Sequence, residues 1–268
     1  MKKLLSMFLV FIMAILSSCI NKETTDGTKP ETTGPIEYGS IQADWDVYKN
    51  ANDITEFANT VYIGKVNGIS FRIEDPRTGQ PPAKDAKEKY KIEFNEDLEP
   101  WMLYCLTTLY NVEVISTLKG ENIASVQIRV AGGLEGYREE EQITASREYG
   151  INTLYFSRNA TEIKIGETYL FVLYKFDNCA PTPVNINQSI YNIQDPLIKH
   201  TLYNHDDETK YYSGNMDKYG NPLISAKDVI SAFGEDKWDA FWTDWQKTNP
   251  GWESRFDMAE VEKALAKE

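Results

Sequence analysis

The sequence is poor in histidine, cysteine and basic charge, and each shortage removes a class of protein. Two histidines among 268 residues leave little material for a His-rich metal site, and no His-Glu-x-x-His occurs. Three cysteines exclude a disulfide-dense mini-scaffold. With 28 Lys and Arg against 41 Asp and Glu, the formal charge is −13. Such a chain repels a polyanion instead of holding it by counterion release, so no nucleic-acid partner is expected. No apolar run reaches the ~20 residues that a membrane-spanning helix needs. A Gly-x-Ser-x-Gly elbow, a phosphate loop and a dinucleotide fingerprint are all missing, so no catalytic residue, metal or cofactor is assigned. What is present is 41% hydrophobic and 12% aromatic side chains, enough for one large or two small domain cores.

At the start, Lys2 and Lys3 precede an apolar run from Leu4 to Leu16, broken only by Ser6 and ending in Leu16-Ser17-Ser18-Cys19. A basic head and a short apolar body make a secretory signal. The end of the run resembles a bacterial lipobox, in which small residues fit the signal peptidase and the cysteine is acylated. The resemblance implies a lipoprotein signal peptide over residues 1–18 and lipidation at Cys19. It also implies an exported chain held by its acyl chains, at ~0.8 kcal/mol per buried methylene, on the outer face of the cell membrane or on the outer membrane. Residues 19–42 carry Thr24, Thr25, Thr28, Thr32, Thr33, Pro30 and Pro35 with almost no apolar periodicity, and read as a disordered tether.

The body, residues 43–200, reads as β. Asp53-Ile54-Thr55-Glu56 has the form of a capping box opening a short helical turn. Thr60–Val66 is β-branched and aromatic, hence a strand, and residues 74–89 read as a long polar loop. Tyr104, Leu106, Tyr110, Val112, Val114 and Leu118 keep one parity and define one face of a second, long strand. In the third, Ala124, Val126, Ile128 and Val130 alternate with Ser125, Gln127 and Arg129. Thr153–Phe156 is a short strand, and Thr168–Tyr174, apolar on both parities, a central one covered on both faces. Ser189–Ile193 adds another. Strands this short with polar connections predict a mainly β fold, a small closed antiparallel barrel.

Ala58-Asn59-Thr60-Val61-Tyr62-Ile63-Gly64-Lys65-Val66 comes first, followed by Tyr110-Asn111-Val112-Glu113-Val114 leading to Leu118-Lys119-Gly120. Next come Val126–Val130 with Gly132-Gly133, and Gly166–Val172. In this order they resemble the netrin-like OB barrel, a domain shared by tissue inhibitors of metalloproteases and many bacterial lipoproteins. The resemblance covers roughly residues 53–195 and implies an OB-like barrel. It does not carry protease inhibition with it. That mechanism uses a free N-terminal cysteine, whereas Cys19 would be acylated, and the family's dense cysteine pairing is missing.

Residues 201–268 read as a helical extension. Ser225 N-caps a helix with Val229, Ile230 and Phe233, closed by Gly234. Glu235–Gln246 forms a stronger one, in which Trp238, Phe241, Trp242 and Trp245 follow helical spacing until Asn249-Pro250-Gly251. Asp257 caps a last helix with Val261, Ala264 and Leu265. Trp238, Trp245 and Trp252 are candidate ligand-binding rings for a sugar, a peptide or a cation, against a stripe that merely docks the tail. Trp242 is expected to be buried and Trp252 partly exposed. Cys105 and Cys179 are a candidate disulfide in an exported chain, or two unreactive thiols. His200 and His205 have the wrong spacing for a helical metal pair, and Asn215–Asn221 matches only part of a calcium loop. Glu135 and Glu139-Glu140-Glu141 read as a solvated loop. These features predict a lipid-anchored, non-enzymatic envelope protein binding an envelope protein, peptide or glycan. The alternatives are a carboxylate-dependent envelope hydrolase acting on glycans, or a protease-inhibitor-like protein.

Overall fold

The computed structural model describes residues 34–41, 48–76, 78–83, 104–157, 163–186, 188–194, 196–197, 200–201 and 223–252. Cys19 and the leader, His205, the 215–221 segment and the helix expected after Asp257 lie outside the described residues. Among those described, no helix is long and apolar enough to cross a membrane.

Two strands of 15 residues each, β2 (Thr60–Glu74) and β3 (Cys105–Lys119), form the spine. They pair antiparallel from Val61 opposite Lys119 to Glu74 opposite Cys105. Register shifts leave Asn67 of β2 and Ile115 and Leu118 of β3 without partners, and each bulge adds twist and bend. At the bend the strands nearly touch: a Cβ on Gly64 would stand 2.4 Å from Val112 Cγ1 and 2.8 Å from the Glu113 carbonyl oxygen. Only glycine fits there. β4 (Ser125–Ala131) pairs along β3, and β6 (Thr168–Tyr174) along the first half of β2. The far edge of β6 receives β7 (Thr182–Pro183) and β8 (Ile190–Asn192), giving the path β4-β3-β2-β6-β7 with β8 beside β6.

The bent sheet curls until Arg129 N–H of β4 donates to the carbonyl of Pro181 at 3.0 Å. No ladder follows, and no sheet closes among the described residues, so the fold is mainly β with an antiparallel sheet and a few helices but without the expected closed barrel. The reason is chemical. Pro181 and Pro183 have no N–H to offer β4. Beyond Val184, whose N–H still donates to the Val172 carbonyl, Asn185, Gln188 and Ser189 are buried and bonded among themselves.

One core fills the concave side: Tyr62, Val66, Ile69, Phe71, Leu106, Tyr110, Val112, Ile128, Tyr169, Phe171 and their neighbours. A second lies on the convex side of β2 and β6, where Val61, Ile63, Leu170 and Val172 meet α1 (Ala51–Phe57), α3 (Ala226–Ser231) and Trp238 of α4 (Glu235–Thr248). β6 is thus covered on both faces, as its double-parity apolar pattern requires. Of the face expected on β3, Leu106, Tyr110 and Val112 point into the concave core, whereas Leu118, past the bulges, packs on the convex one.

Three local expectations need correction. The cap of α1 is Asn50, whose side chain accepts from Asp53 N–H at 2.9 Å, so Asp53 stands inside the helix and not at its start. The acidic triplet is not loop: it forms the first turn of α2 (Glu139–Arg147), where carboxylates favour the positive end of the helix dipole. The expected tether contains a strand, β1 (Glu37–Ile41), which pairs in parallel with β5 (Thr153–Ser157); backbone hydrogen bonds to a distant partner order it where its own composition does not. A last short pair, β9 (His200–Thr201) with β10 (Leu223–Ile224), lies across the expected boundary at residue 201. At the start of α3, Ser225 and Asp228 form the full reciprocal capping box.

Candidate functional site

Because Ile69, Phe71, Ile73, Tyr110, Val112, Ile128 and Val130 face the concave core, alternation turns Arg72, Glu74, Asn111, Glu113, Gln127 and Arg129 to the convex face of β2, β3 and β4. The exposed half of this face is a set of paired polar groups. Gln127 Nε2 donates to Asn111 Oδ1 at 3.0 Å, and Asn67 Nδ2 donates to Glu113 Oε2 at 3.1 Å. Ile115, beside them in sequence, is 61% exposed. Amides on a rigid pleat present donors and acceptors at fixed spacing, which is what a polar ligand reads.

At the other end of the face lies a buried charge cluster. The Glu74 side chain has no solvent exposure. Arg72 Nε donates to Glu74 Oε1 at 2.7 Å, and Arg129 Nε lies 3.2 Å from Oε2. Arg72 Nη2 also donates to the Gly79 carbonyl at 3.2 Å. Gly79 closes a turn in which its N–H donates to the Asp75 carbonyl at 2.8 Å. Its φ of +62° and the closeness of Arg129 Nη1 and Cys179 Cβ, 2.2 and 2.4 Å from where a Cβ would stand, allow no other residue. Gln80 Nε2 then donates to the Asn178 carbonyl at 2.9 Å. The two connections that follow β2 and β6 are therefore pinned to one another over a single buried carboxylate. A charge so placed is tolerable only because two guanidiniums face it: Oε1 accepts from Arg72, while Oε2, without a hydrogen bond among the described residues, lies against the Arg129 charge.

Both cysteines of the expected disulfide border this cluster, and both are free thiols. Cys179 lies against Gly79, while Cys105, in register with Glu74, has its Sγ 3.6 Å from Thr107 Oγ1. Burial pushes the Cys105 thiol up, against the lowering influence of that contact and of Arg129. It is a poor nucleophile.

The tryptophans sit elsewhere, on α4 and just beyond it. Trp238, Trp245 and Trp252 are buried, at 3%, 4% and 8% exposure, and Trp242 is half-buried, the reverse of the order expected for Trp242 and Trp252. The rings cover one another. Trp242 stacks on Trp238 at 5.3 Å and on Trp245 at 5.0 Å, and meets the edge of Trp252 at 5.0 Å. Gly251, at φ +76°, turns the chain so that Trp252 folds back over the helix. Trp245 Nε1 donates to the Ile193 carbonyl at 2.6 Å, tying helix to sheet. Indole faces occupied by other indoles are not offered to a sugar or a cation.

Among the described residues, no three His, Cys, Asp or Glu side chains are grouped so as to hold a metal ion. Glu139 Oε1 instead accepts from Gly136 N–H at 2.9 Å, and Glu141 pairs with Arg138. The alternation of the third strand turns Gln127 and Arg129 outward, but the β2 part of this face is not legible where Glu74 reads as the start of a loop. The alternation of Arg72 and Glu74 with Phe71 and Ile73 was the available signal. No protein-family model matches the chain, and no curated protein matches it.

Proposed function

We propose that this is an exported lipoprotein, acylated at Cys19, whose body is a non-enzymatic binding module of OB-like type. It takes an envelope protein, peptide or glycan on the convex face of β2, β3 and β4. The fold reading rests on the path β4-β3-β2-β6-β7, with α2 inserted between β4 and β6 in sequence, an open rather than closed version of the barrel. The observation that carries the binding reading is the exposed amide and carboxylate set, Asn67, Asn111, Glu113 and Gln127, on strands stiffened by a core beneath. At its edge, two connections are braced by Glu74. The address and the anchor rest on the lipobox alone.

Two measurements test this. Metabolic labelling with a clickable fatty acid should mark the chain in membranes, and Cys19→Ser should abolish the label. Affinity capture from envelope extracts with residues 20–268 should enrich a partner that the triple variant Asn67→Ala, Asn111→Ala, Gln127→Ala loses while keeping its thermal midpoint. Equal recovery by both chains would place binding elsewhere on the molecule.

A further inference from the structure

β1 is attached in an unusual way. It lies outside the main sheet, in a two-stranded parallel pair with β5, register running from Glu37 opposite Thr153 to Ile41 opposite Ser157. Tyr38 is 58% exposed and stacks on Phe156 at 5.8 Å, Gly39 lies flat against the Tyr155 ring, and just before the strand Ile36 packs half-buried on the concave core. The backbone does the rest, with Glu37 N–H donating to the Asn152 carbonyl at 2.9 Å and Arg147 Nη2 reaching the Gly34 carbonyl at 3.2 Å. The seat is imperfectly satisfied. Arg147 Nε and Asn152 Oδ1 are buried there without a hydrogen-bond partner among the described residues. A short strand held by main-chain bonds, one aromatic contact and Ile36 at its entry, over unpaired polar atoms, belongs to the less stable units of a domain.

We propose that the edge of β5 is a strand-receiving site, filled in the resting chain by its own β1 and able to take the same segment from a second copy. The ligand class follows from the occupant: an extended peptide whose backbone pairs in parallel with Thr153–Ser157 and whose aromatic second residue covers Phe156. Such strand addition draws affinity from main-chain hydrogen bonds and specificity from alternate side chains.

The test uses the full chain and a fluorescent peptide of residues 35–41. Hydrogen exchange should show β1 amides opening at least about 100-fold faster than the paired amides of β2 and β3. The peptide should bind saturably, and a scrambled version should not. A peptide carrying Tyr38→Ala should bind up to about tenfold more weakly. Tyr38→Ala in the chain loosens the resident strand and should raise affinity for the wild-type peptide. The pair Glu37→Cys with Thr153→Cys locks β1 in place; oxidised, it should block the peptide, and reduction should restore binding. Protection of β1 equal to that of β2 and β3 would overturn the proposal. So would no binding to the Tyr38→Ala chain, or undiminished binding to the locked one.

Discussion

Glu74→Ala is the sharpest probe of the braced face. The substitution removes the carboxylate that Arg72 and Arg129 share among the described residues. Arg129 suffers most, because its side chain is only 11% exposed and loses Glu74 Oε2 at 3.2 Å. Arg72, at 31%, keeps its bond to the Gly79 carbonyl and part of its hydration. Breaking a buried pair from one side costs about 3–5 kcal/mol, and the partial hydration of Arg72 argues for the lower end, about 3 kcal/mol. Glu74→Gln keeps an acceptor and the shape while losing the charge, so about 1–2 kcal/mol is expected. Urea titration reads both. With a slope of about 2 kcal/mol/M, Glu74→Ala should move the midpoint down by about 1.5 M without changing the slope. Replacing Glu74 and Arg129 together by leucine should recover part of the loss, because the more buried guanidinium is then not stranded, while Arg72 loses its carboxylate but keeps the Gly79 carbonyl and some hydration. If Glu74→Ala unfolds within about 0.5 kcal/mol of wild type, the cluster is solvated in solution and the bracing argument is wrong.

Three further predictions follow from the packing. Gly64→Ala should destabilise by about 2–3 kcal/mol, since its Cβ would meet Val112 Cγ1 at 2.4 Å and the Glu113 carbonyl at 2.8 Å; an unchanged urea midpoint would mean that the bend is not tight. Tyr110 and Tyr191 are buried, and burial is the main cause raising each phenol above its ordinary value of 10.0. The folded state then holds these protons more tightly than the unfolded one, so their contribution is complete below pH ~10 and falls as pH rises beyond it. Tyr110→Phe should flatten the alkaline decline of the melting temperature, and an equal decline in both chains would refute it. Trp242→Phe should remove most of the near-ultraviolet dichroism of the stacked indoles, because Trp242 contacts Trp238, Trp245 and Trp252 alike; a spectrum reduced only by one independent chromophore would deny the stack.

The strands were legible because β-branched and aromatic residues alternate in them over short distances. Their irregularities were not. β2 reads as ending at Val66, where the β-branched and aromatic run stops, yet at Asn67 the chain only bulges and runs on to Glu74. β1 was invisible for a different reason: Glu37-Tyr38-Gly39-Ser40-Ile41 has no pattern of its own, and a parallel partner far along the chain makes it a strand. Trp242 and Trp252 changed places because helical spacing fixes a stripe but not which ring lies at its rim, and the turn at Gly251 brings Trp252 back from outside the helix.

These hidden features share one physical origin. Each is a place where a backbone or a charge is satisfied by something remote: Glu74 by Arg129 across β3, β1 by β5, Gln188 by the backbone of Tyr48 at 2.9 and 2.7 Å. Local sequence rules describe what a residue prefers, and they fail where a distant partner changes that preference. The same failures interrupt the sheet. Because the prolines and the buried polar residues Asn185, Gln188 and Ser189 stop β7 from zipping onto β4, the curled sheet stays open among the described residues. A fully zipped barrel would have used the β4 edge as internal pairing. Here Arg129 keeps one backbone bond to Pro181, while the pleat turns its side chain onto the convex face, where it meets Glu74 beside the amide-lined strands.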